Sequence, residues 1–263
     1  VLIGVLLLFC FVGFYSYKWW IRPYQIRSNH FSSEYYKECV ANNLANMNTA
    51  AFKAEIALND LVIERPSKAL DEPNDIRFTQ VENMQRDMRA GTLKLTGGEL
   101  DVGLETDNAF FAVKAGEQTY YTRDGQFALD DLSRLVTHNG ELVLDNAGNE
   151  IVFDPEGGPP TISKSGIIRQ GNVDIGQLGT YSFETPAALE KIGSNLWRPV
   201  DQEPAAVANP GVRQGYVEQS NVNAVLEITR MIEISRAYTS ASRLVKDADE
   251  LRKTAISKLG AAG

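Results

Sequence analysis

The chain has 263 residues, enough for one large or two modest domains, each with a hydrophobic core. Its hydrophobic (43%) and charged (23%) fractions are those of an ordinary globular protein, and its formal net charge of −8 disfavours nucleic acid as a partner. With two cysteines, Cys10 and Cys39, and two histidines, it lacks the residues for a disulfide framework or a Cys/His zinc site.

The first segment, residues 1–39, is apolar and then basic. Val1 to Tyr17 carries no charged residue and is followed by Lys18, Trp19, Trp20, Arg22 and Arg27. About 17 apolar residues is the lower limit for crossing a bilayer, and aromatic and basic residues are typical of its edge. Membrane contact by residues 1–17 is therefore one interpretation. A divergent or buried helix and an incorrectly chosen start are the others, which hydropathy alone does not separate.

Residues 40–65 are predicted to form a helix rich in asparagine. Leu44, Met47 and Ala51 fall on one helical face, and Phe52 follows. The other faces carry four asparagines, whose amides compete for backbone hydrogen bonds and weaken an isolated helix: Asn42, Asn43, Asn46 and Asn48. We expect these amides to bond to a packed neighbour. Residues 66–90, with Pro66 and Pro73 among charged residues, are predicted to be a loop and connector.

An all-β module is predicted over residues 91–199, because the apolar period changes to two. Leu100, Val102 and Leu104 alternate with other residues, and Asp124-Gly125 and Asn139-Gly140 are signals of tight turns. Short strands separated by such turns are typical of antiparallel sheets. Residues 200–213, rich in Ala and Pro, are predicted to be a linker.

The last segment, residues 214–263, holds a long predicted helix from Val222 to Leu259, without Gly or Pro before Gly260. Asn221 or Asn223 can cap its start. Steps of three and four residues give an apolar seam interrupted by Arg252, formed by Met231, Ile234, Tyr238, Ala241, Val245, Ala248, Ala255 and Leu259. So narrow a stripe needs a helix to pack against, either from this chain or from a neighbouring one.

The predicted fold class is therefore α+β. A mainly antiparallel β module is inserted between N- and C-terminal helices, which are expected to meet in a coiled-coil-like core.

Catalytic and metal-binding patterns are weak throughout. His138 lies beside a hairpin turn without a nearby Ser or Cys, and Asp101, Glu105 and Asp107 are ordinary carboxylates of an acidic protein. The acidic stretch from Asp145 to Glu156 departs from the calcium-loop pattern at Ala147 and Gly148. The sequence predicts neither an enzyme nor a cofactor or metal site.

Three stretches together resemble the bacterial flagellar axial proteins, the rod and hook group. They are ANNLANMNTAAFK (41–53), LDVGLETDNAFFAV (100–113) with YTRDGQFALDDLSRLVTHNG (121–140), and QGYVEQSNVNAVLEITRMIEISRAY (214–238). The resemblance extends from Ala41 to about Leu259. It implies a structural subunit of the basal-body rod in the periplasm, most like the proximal-rod member, with the distal-rod member as the close alternative.

The resemblance also implies partners and an assembly interface. The expected partners are other copies of the chain, other rod proteins and the flagellar type III export apparatus. The terminal helices would form a coiled-coil core that becomes ordered on assembly. Beyond the seam, the residues expected at this interface are Asn42, Asn43, Leu44, Asn46, Phe52, Asn221 and Asn223.

The chain departs from the family pattern at a few positions. Ala51 and Ser133 stand where the family commonly has Gly, Asn108-Ala109 replaces another Gly, and Ser235 replaces a Gln. Residues 1–39 differ most, because relatives have an amphipathic helix there. This difference leaves an alternative function open, a membrane-anchored periplasmic binding module that uses the apolar segment as its anchor.

Overall fold

Strands make up most of the folded chain, and one long helix follows them. The computed structural model describes residues 35–64 and 76–260. In chain order its elements are α1 (35–45), β1 (Glu55–Glu64), β2 (Ile76–Arg86), β3 (Leu93–Leu95), β4 (Val102–Leu104), β5 (Ala109–Ala115), β6 (Gln118–Thr122), β7 (Phe127–Leu129), β8 (Leu135–Thr137), β9 (Leu142–Val143), β10 (Pro160–Ile162), β11 (Ile167–Gln170), β12 (Val173–Gln177), β13 (Thr180–Ser182), a 3₁₀ turn (Pro186–Ala188), β14 (Glu190–Gly193), β15 (Leu196–Arg198), β16 (Ala205–Ala206), β17 (Val212–Gln214), β18 (Tyr216–Glu218) and α2 (Ala224–Gly260).

The predicted α+β class with mainly antiparallel strands is confirmed. Strands β5 to β9 and β13 to β16 form one nine-stranded sheet, with the path β14-β15-β6-β5-β9-β8-β7. β13 pairs with both β5 and β16, and these pairings are antiparallel. β10, β11 and β12 form a separate three-stranded antiparallel sheet.

Strand β5 is the centre of the nine-stranded sheet, and it is buried on both faces. Its sequence is apolar without alternation, which is typical of a strand covered on both sides. Phe111 and Val113 belong to the larger core cluster, while Phe110 and Ala112 belong to a second cluster with Trp197. A single strand therefore supplies residues to two hydrophobic cores.

Two short ladders close this β region by joining its start to its end. β4 pairs with β17 and β3 pairs with β18, in both cases antiparallel. The Asp124-Gly125 turn packs against β4, where the Val102 N–H donates to the Gly125 carbonyl at 2.9 Å. A Cβ atom on Gly125 would lie 1.7 Å from the carbonyl oxygen of Val102, so only glycine fits there.

Ala51 and Ser133 have left-handed backbone conformations, with φ of 53° and 58°. L-residues with a Cβ pay for this conformation, whereas glycine adopts it freely. The family resemblance led us to expect Gly at these two positions, and the structure gives the physical reason for that preference.

Residues 40–90 differ from their predicted secondary structure. The predicted helix over 40–65 ends at residue 45, and Glu55–Glu64 is a strand. The predicted loop and connector over 66–90 contains the strand Ile76–Arg86, which pairs with Glu55–Glu64 in a two-stranded sheet. The helix is shorter than predicted because asparagine amides hydrogen-bond to residues of the turn and strand that follow it, rather than supporting further helix. Ile56, Val62 and Ile63 are β-branched and favour a strand.

The strands also extend beyond the predicted all-β module. Its predicted end, residue 199, is followed by β16, β17 and β18, which occupy parts of the predicted linker over 200–213 and of the predicted C-terminal segment. Over 35–64 and 76–260, neither helix has the length and apolar character to cross a bilayer. Val1 to Tyr17, where a span was considered, lies outside the described residues.

The chain divides into two compact units. Within the described residues, one comprises 35–42, 56–64, 76–85 and 225–260, and it contains most of α1 and α2. The other comprises Asn43–Glu55 and Arg86–Ala224, and it contains β3 to β18. The second unit is here called the β unit.

Candidate functional site

Helix α2 exposes most of its predicted seam. Met231 and Ile234 are half-buried, whereas Tyr238 and Val245 are exposed. Ala241, Ala248 and Ala255 are also exposed, and Leu259 lies in the helix with a side chain outside the described part. The helix is thus long and regular, but most of its apolar side chains from residue 238 onward face solvent.

The apolar surface of α2 is wider than the predicted seam. Leu244 is 68% exposed and Leu251 is 71% exposed, and both lie beside the seam rather than on it. At about 100° per residue, the arc from Leu251 through Ala248 to Met231 covers roughly 160° of the helix. We call this arc the apolar face of α2. A coiled-coil seam for one partner is narrower.

The β unit contains a buried ion cluster, and none of its members was among the predicted interface residues. Glu218 lies between two cations: its Oε1 accepts from Lys53 Nζ at 2.7 Å, and its Oε2 accepts from Arg123 Nε at 2.7 Å. The three side chains are at most 1% exposed. We call these residues the ion cluster.

Backbone carbonyls complete the ion cluster. Arg123 Nη1 donates to the carbonyls of Thr106, Asp107 and Ala109 at 2.6 to 3.0 Å. Lys53 Nζ also donates to the carbonyl of Arg89 at 2.7 Å. Burial lowers the pKa of Lys53, and the Glu218 carboxylate partly opposes this effect. Each of the three charges has an ion-pair partner and further hydrogen bonds, which offset the cost of burial. Arg123 Nη2 is the exception within the cluster, because it is buried without a hydrogen-bond partner among the described residues.

Two of the predicted asparagines hold the backbone next to the ion cluster. Asn43 makes a reciprocal pair with Glu55: its Nδ2 donates to the Glu55 carbonyl and its Oδ1 accepts from the Glu55 N–H, both at 2.8 Å. Asn221 Oδ1 accepts from the Ala54 N–H at 2.7 Å, and its Nδ2 donates to the Asp87 carbonyl at the same distance. These two amides thus bond within the chain.

Phe52 is buried at the same place, where Lys191 Nζ lies 4.5 Å from its ring centroid. Asn195 Nδ2 donates to the Ala50 carbonyl at 2.8 Å, so the β14–β15 hairpin also contacts the segment around Phe52. The sequence stretches that carry the family resemblance, 41–53 and 214–238, therefore meet in the β unit through residues 50–54 and 218–221.

The remaining predicted interface residues are distributed around this region. Leu44 is half-buried in α1, and Asn42 lies beside it. Asn46 Oδ1 accepts from the Thr49 hydroxyl at 3.2 Å within the following turn. Asn223 directly precedes α2, as expected for a helix cap. Whether any of these residues contacts another subunit stays a prediction.

The weak metal and catalytic patterns take ordinary structural roles. Asp145 Oδ1 accepts from the N–H groups of Ala147 and Asn149, at 2.8 and 2.7 Å, and so shapes the loop that resembled a calcium site. His138 is exposed. Among the residues that the structure describes, no group of three or more His, Cys, Asp or Glu residues could hold a metal ion.

Comparison with known proteins identifies the family. Residues 106–174 match the family described as "Flagellar hook protein FlgE/F/G D1 domain", and residues 213–258 match "Flagellar basal body rod FlgEFG protein C-terminal". The chain is 37% identical over 224 residues to the "Flagellar basal-body rod protein FlgF" of Caulobacter vibrioides, covering 85% of this chain and 91% of that protein. The chain belongs to the flagellar basal-body rod protein family.

Other rod proteins are similar over nearly the same length. FlgF of Mesorhizobium japonicum is 32% identical, covering 85% of this chain and 91% of that protein. The rod protein FlgG of Bacillus subtilis is 30% identical, covering 81% and 89%. The predicted resemblance to FlgF, with FlgG as the alternative, is confirmed.

The chain is therefore a structural subunit of the flagellar basal-body rod, as predicted. Its place is the basal body, and it assembles with other rod and hook components. The family is a structural one rather than an enzyme family. The comparisons do not support the alternative of a membrane-anchored binding module.

Proposed function

We propose that the apolar face of α2 is the surface through which this rod protein packs against helices of neighbouring subunits, including other copies of itself. One observation carries the proposal: Leu244, Leu251 and Ile256 are each more than 60% exposed on one long helix. A contiguous apolar surface of this kind is unfavourable in water and typically marks an interface.

The width of the apolar face favours contact with more than one helix. A single partner in a coiled coil covers a seam of two positions in seven, and Leu244 and Leu251 lie to one side of the seam through Ile234 and Ala241. Each copy would then share its helix with at least two neighbours. Contacts between different patches that do not close into a ring generate a helical tube.

The charge distribution of the chain supports α2, rather than the β-rich residues 91–199, as the surface through which copies of the chain associate. Residues 101–200 contain 15 acidic and 7 basic residues, a net charge of −8, so the rest of the chain is balanced. Identical acidic domains repel each other at short range. In this proposal residues 91–199 are the outer β domain, and residues 214–263 are the assembly segment.

In such a tube, torque passes between subunits through shared helical cores, because sliding one subunit past the next would expose apolar surface on both. The proposal thus includes a coiled-coil-like core, a role as part of the drive shaft, a position in the proximal rod and passage through the flagellar type III export apparatus. The last two features rest on the family resemblance alone. No catalytic role is proposed.

The test compares single charges on opposite sides of α2. Leu251→Asp and Ile234→Asp place a carboxylate on the apolar face, whereas Thr239→Asp adds the same charge on the far side of the helix. Burying an unpaired carboxylate at a helix contact costs several kcal/mol. We expect the first two variants to be absent from isolated basal bodies and to abolish swimming, and the third to assemble.

Of the two substitutions, Leu251→Asp is the more specific test of the apolar face. Because its side chain is exposed within the subunit, the substitution leaves the fold of the β unit intact, which thermal unfolding of the purified variant would check. Incorporation of Leu251→Asp at the level of Thr239→Asp would remove the proposed role of the apolar face.

A further inference from the structure

Glu218 is shared between two parts of the chain that are far apart in sequence. Its Oε1 accepts from Lys53 Nζ at 2.7 Å and from the Gly91 N–H at 3.0 Å, while its Oε2 accepts from Arg123 Nε at 2.7 Å. Oε1 thus binds Lys53 of the N-terminal segment as well as the backbone at Gly91, whereas Oε2 binds Arg123 of the β-sheet region. Lys53 lies 165 residues from Glu218, and Arg123 lies 95 residues from it.

We propose that Glu218 is a latch residue, which makes the ordering of residues 50–55 depend on the prior ordering of residues 216–221. This inference goes beyond assembly of the rod and does not depend on whether α2 associates with a neighbour.

The two halves of the ion cluster are unequal. Arg123 is held by three backbone carbonyls in addition to Glu218, and Glu218 is fixed by the pairing of β18 with β3. The Arg123–Glu218 pair therefore needs no contribution from the N-terminal segment. Without Lys53, both charges of this pair keep a partner, so no unpaired charge is left buried.

Lys53 has no such independent support. Apart from Glu218, its ammonium group donates to the carbonyl of Arg89 alone among the hydrogen bonds described for its side chain. An ammonium group with no carboxylate at this depth would cost several kcal/mol. Lys53 can therefore take up its buried position at low cost only where Glu218 is already in place.

The backbone of residues 50–55 follows the same dependence. The Ala51 N–H donates to the Glu218 carbonyl at 2.9 Å, and the Ala54 N–H donates to Asn221 Oδ1 at 2.7 Å. In return, the Asn221 N–H donates to the Phe52 carbonyl at 3.2 Å. Both N–H donors find their acceptors in residues 218–221, so these two backbone hydrogen bonds cannot form before residues 218–221 are folded.

The latch sets an order of events at the point where both ends of the chain leave the β unit. Residues 216–221 fold first, with β3 and Arg123, and residues 50–55 then close on them. The reverse order would bury Lys53 without a partner. Asn221 is three residues before α2, and Asn43 bonds to Glu55, so the segments adjoining both helices end in this latch.

Hydrogen exchange of the intact protein, read by mass spectrometry, tests the latch. Lys53→Met removes the ammonium group and keeps the side-chain length, so residues 50–55 should exchange at least 10-fold faster while residues 216–219 stay within two-fold. Asn221 is left out of this comparison because its N–H donates to the Phe52 carbonyl. Glu218→Gln should speed exchange in both segments. The control is Glu105→Gln, which breaks a half-exposed ion pair with Arg213 and should change neither segment.

Each outcome decides the proposal. Equal acceleration of both segments in Lys53→Met, or no acceleration in either, would overturn it, and so would normal protection of residues 50–55 in Glu218→Gln. Residues 109–115 report whether the central sheet survives. If Glu218→Gln disturbs them, Asn221→Ala takes its place. Faster exchange of residues 50–53, whose N–H groups do not bond to the Asn221 side chain, then supports the latch, and unchanged exchange of these residues refutes it.

Discussion

The carboxyl group of Asp124 should make the β unit less stable at neutral pH than at mildly acidic pH. The pKa of Asp124 is raised from its ordinary 3.8 to about 6, mainly by burial, and repulsion from Asp101 and Glu141 contributes to this rise. The hydrogen bond from the Gln126 N–H and the nearby His138 lower this pKa, but burial outweighs them. Asp124→Asn keeps an oxygen that can accept from Gln126 and removes the charge.

The size of the effect follows from the two pKa values. Above pH 6 the group is ionised in both the folded and the unfolded chain, so the folded state bears the full cost of the buried charge. Below pH 3.8 it is neutral in both states and the cost disappears. At about 1.4 kcal/mol per pKa unit, the cost at pH 7 is about 3 kcal/mol. The variant should therefore gain up to this amount at pH 7 and less than about 1 kcal/mol at pH 4.

Urea unfolding followed by the fluorescence of Trp197 measures this gain. Trp197 is buried in the sheet, and replacing Trp19 and Trp20 with Phe leaves it as the only tryptophan of the three in the chain. The free energy of unfolding of Asp124→Asn should exceed that of the parent at pH 7, and the gap should shrink as the pH falls from about 6 to 4.

Asp130 supplies a control of opposite sign. Hydrogen bonds from Arg134 hold the pKa of Asp130 below its ordinary value, so Asp130→Asn should lower stability at pH 7 and lose this effect as the pH falls through the acidic range. The reasoning would be refuted if the free energy of unfolding of Asp124→Asn were below that of the parent at pH 7, or if the difference between them did not change with pH.

Three substitutions test the backbone constraints. Ser133→Gly should raise the free energy of unfolding by about 1 kcal/mol, because it relieves the strain of a φ of 58°. The greater flexibility that glycine gives the unfolded chain offsets only part of this gain, and a loss of stability would contradict the prediction. Ala51→Gly should gain less, since the loss of a buried methyl group offsets about 0.8 kcal/mol, and an equal gain at both positions would argue against this offset. Gly125→Ala should lower stability by about 3 kcal/mol, because its Cβ would overlap the Val102 carbonyl, and an unchanged melting temperature would show that the turn can move.

The local signals of the sequence were sufficient for much of the fold. An uninterrupted run without Gly or Pro before Gly260 predicted α2, and alternation with Asn139-Gly140 predicted hairpins, where Gly140 indeed has φ of 92°. Such features depend on neighbours a few residues apart. The strand Glu55–Glu64 was missed because the asparagine-rich helix pattern was extended through it, whereas its stability comes from pairing with Ile76–Arg86.

The ion cluster could not be predicted from sequence patterns. Lys53, Arg123 and Glu218 are single charged residues among apolar ones, and nothing within a few residues of each reveals that they share a buried position. Glu218 pairs with residues 95 and 165 positions away, and it is placed to do so by the pairing of β3 with β18. Asn43 and Asn221 were predicted as interface residues; the hydrogen bonds described for their side chains lie inside the subunit, and a role at an interface stays a prediction.

The pairing of β3 with β18 has a consequence for mechanical load. Leu93, where the chain enters the ladder, lies directly opposite Glu218, where it leaves. A force that pulls the segment before Leu93 away from the segment after Glu218 would therefore act on this pair first. It would open the ladder one hydrogen bond at a time, which is the direction in which a sheet resists force least. The Glu218 side chain clamps that vulnerable end to Lys53, Gly91 and Arg123, so force must break several charged contacts before the first rung opens.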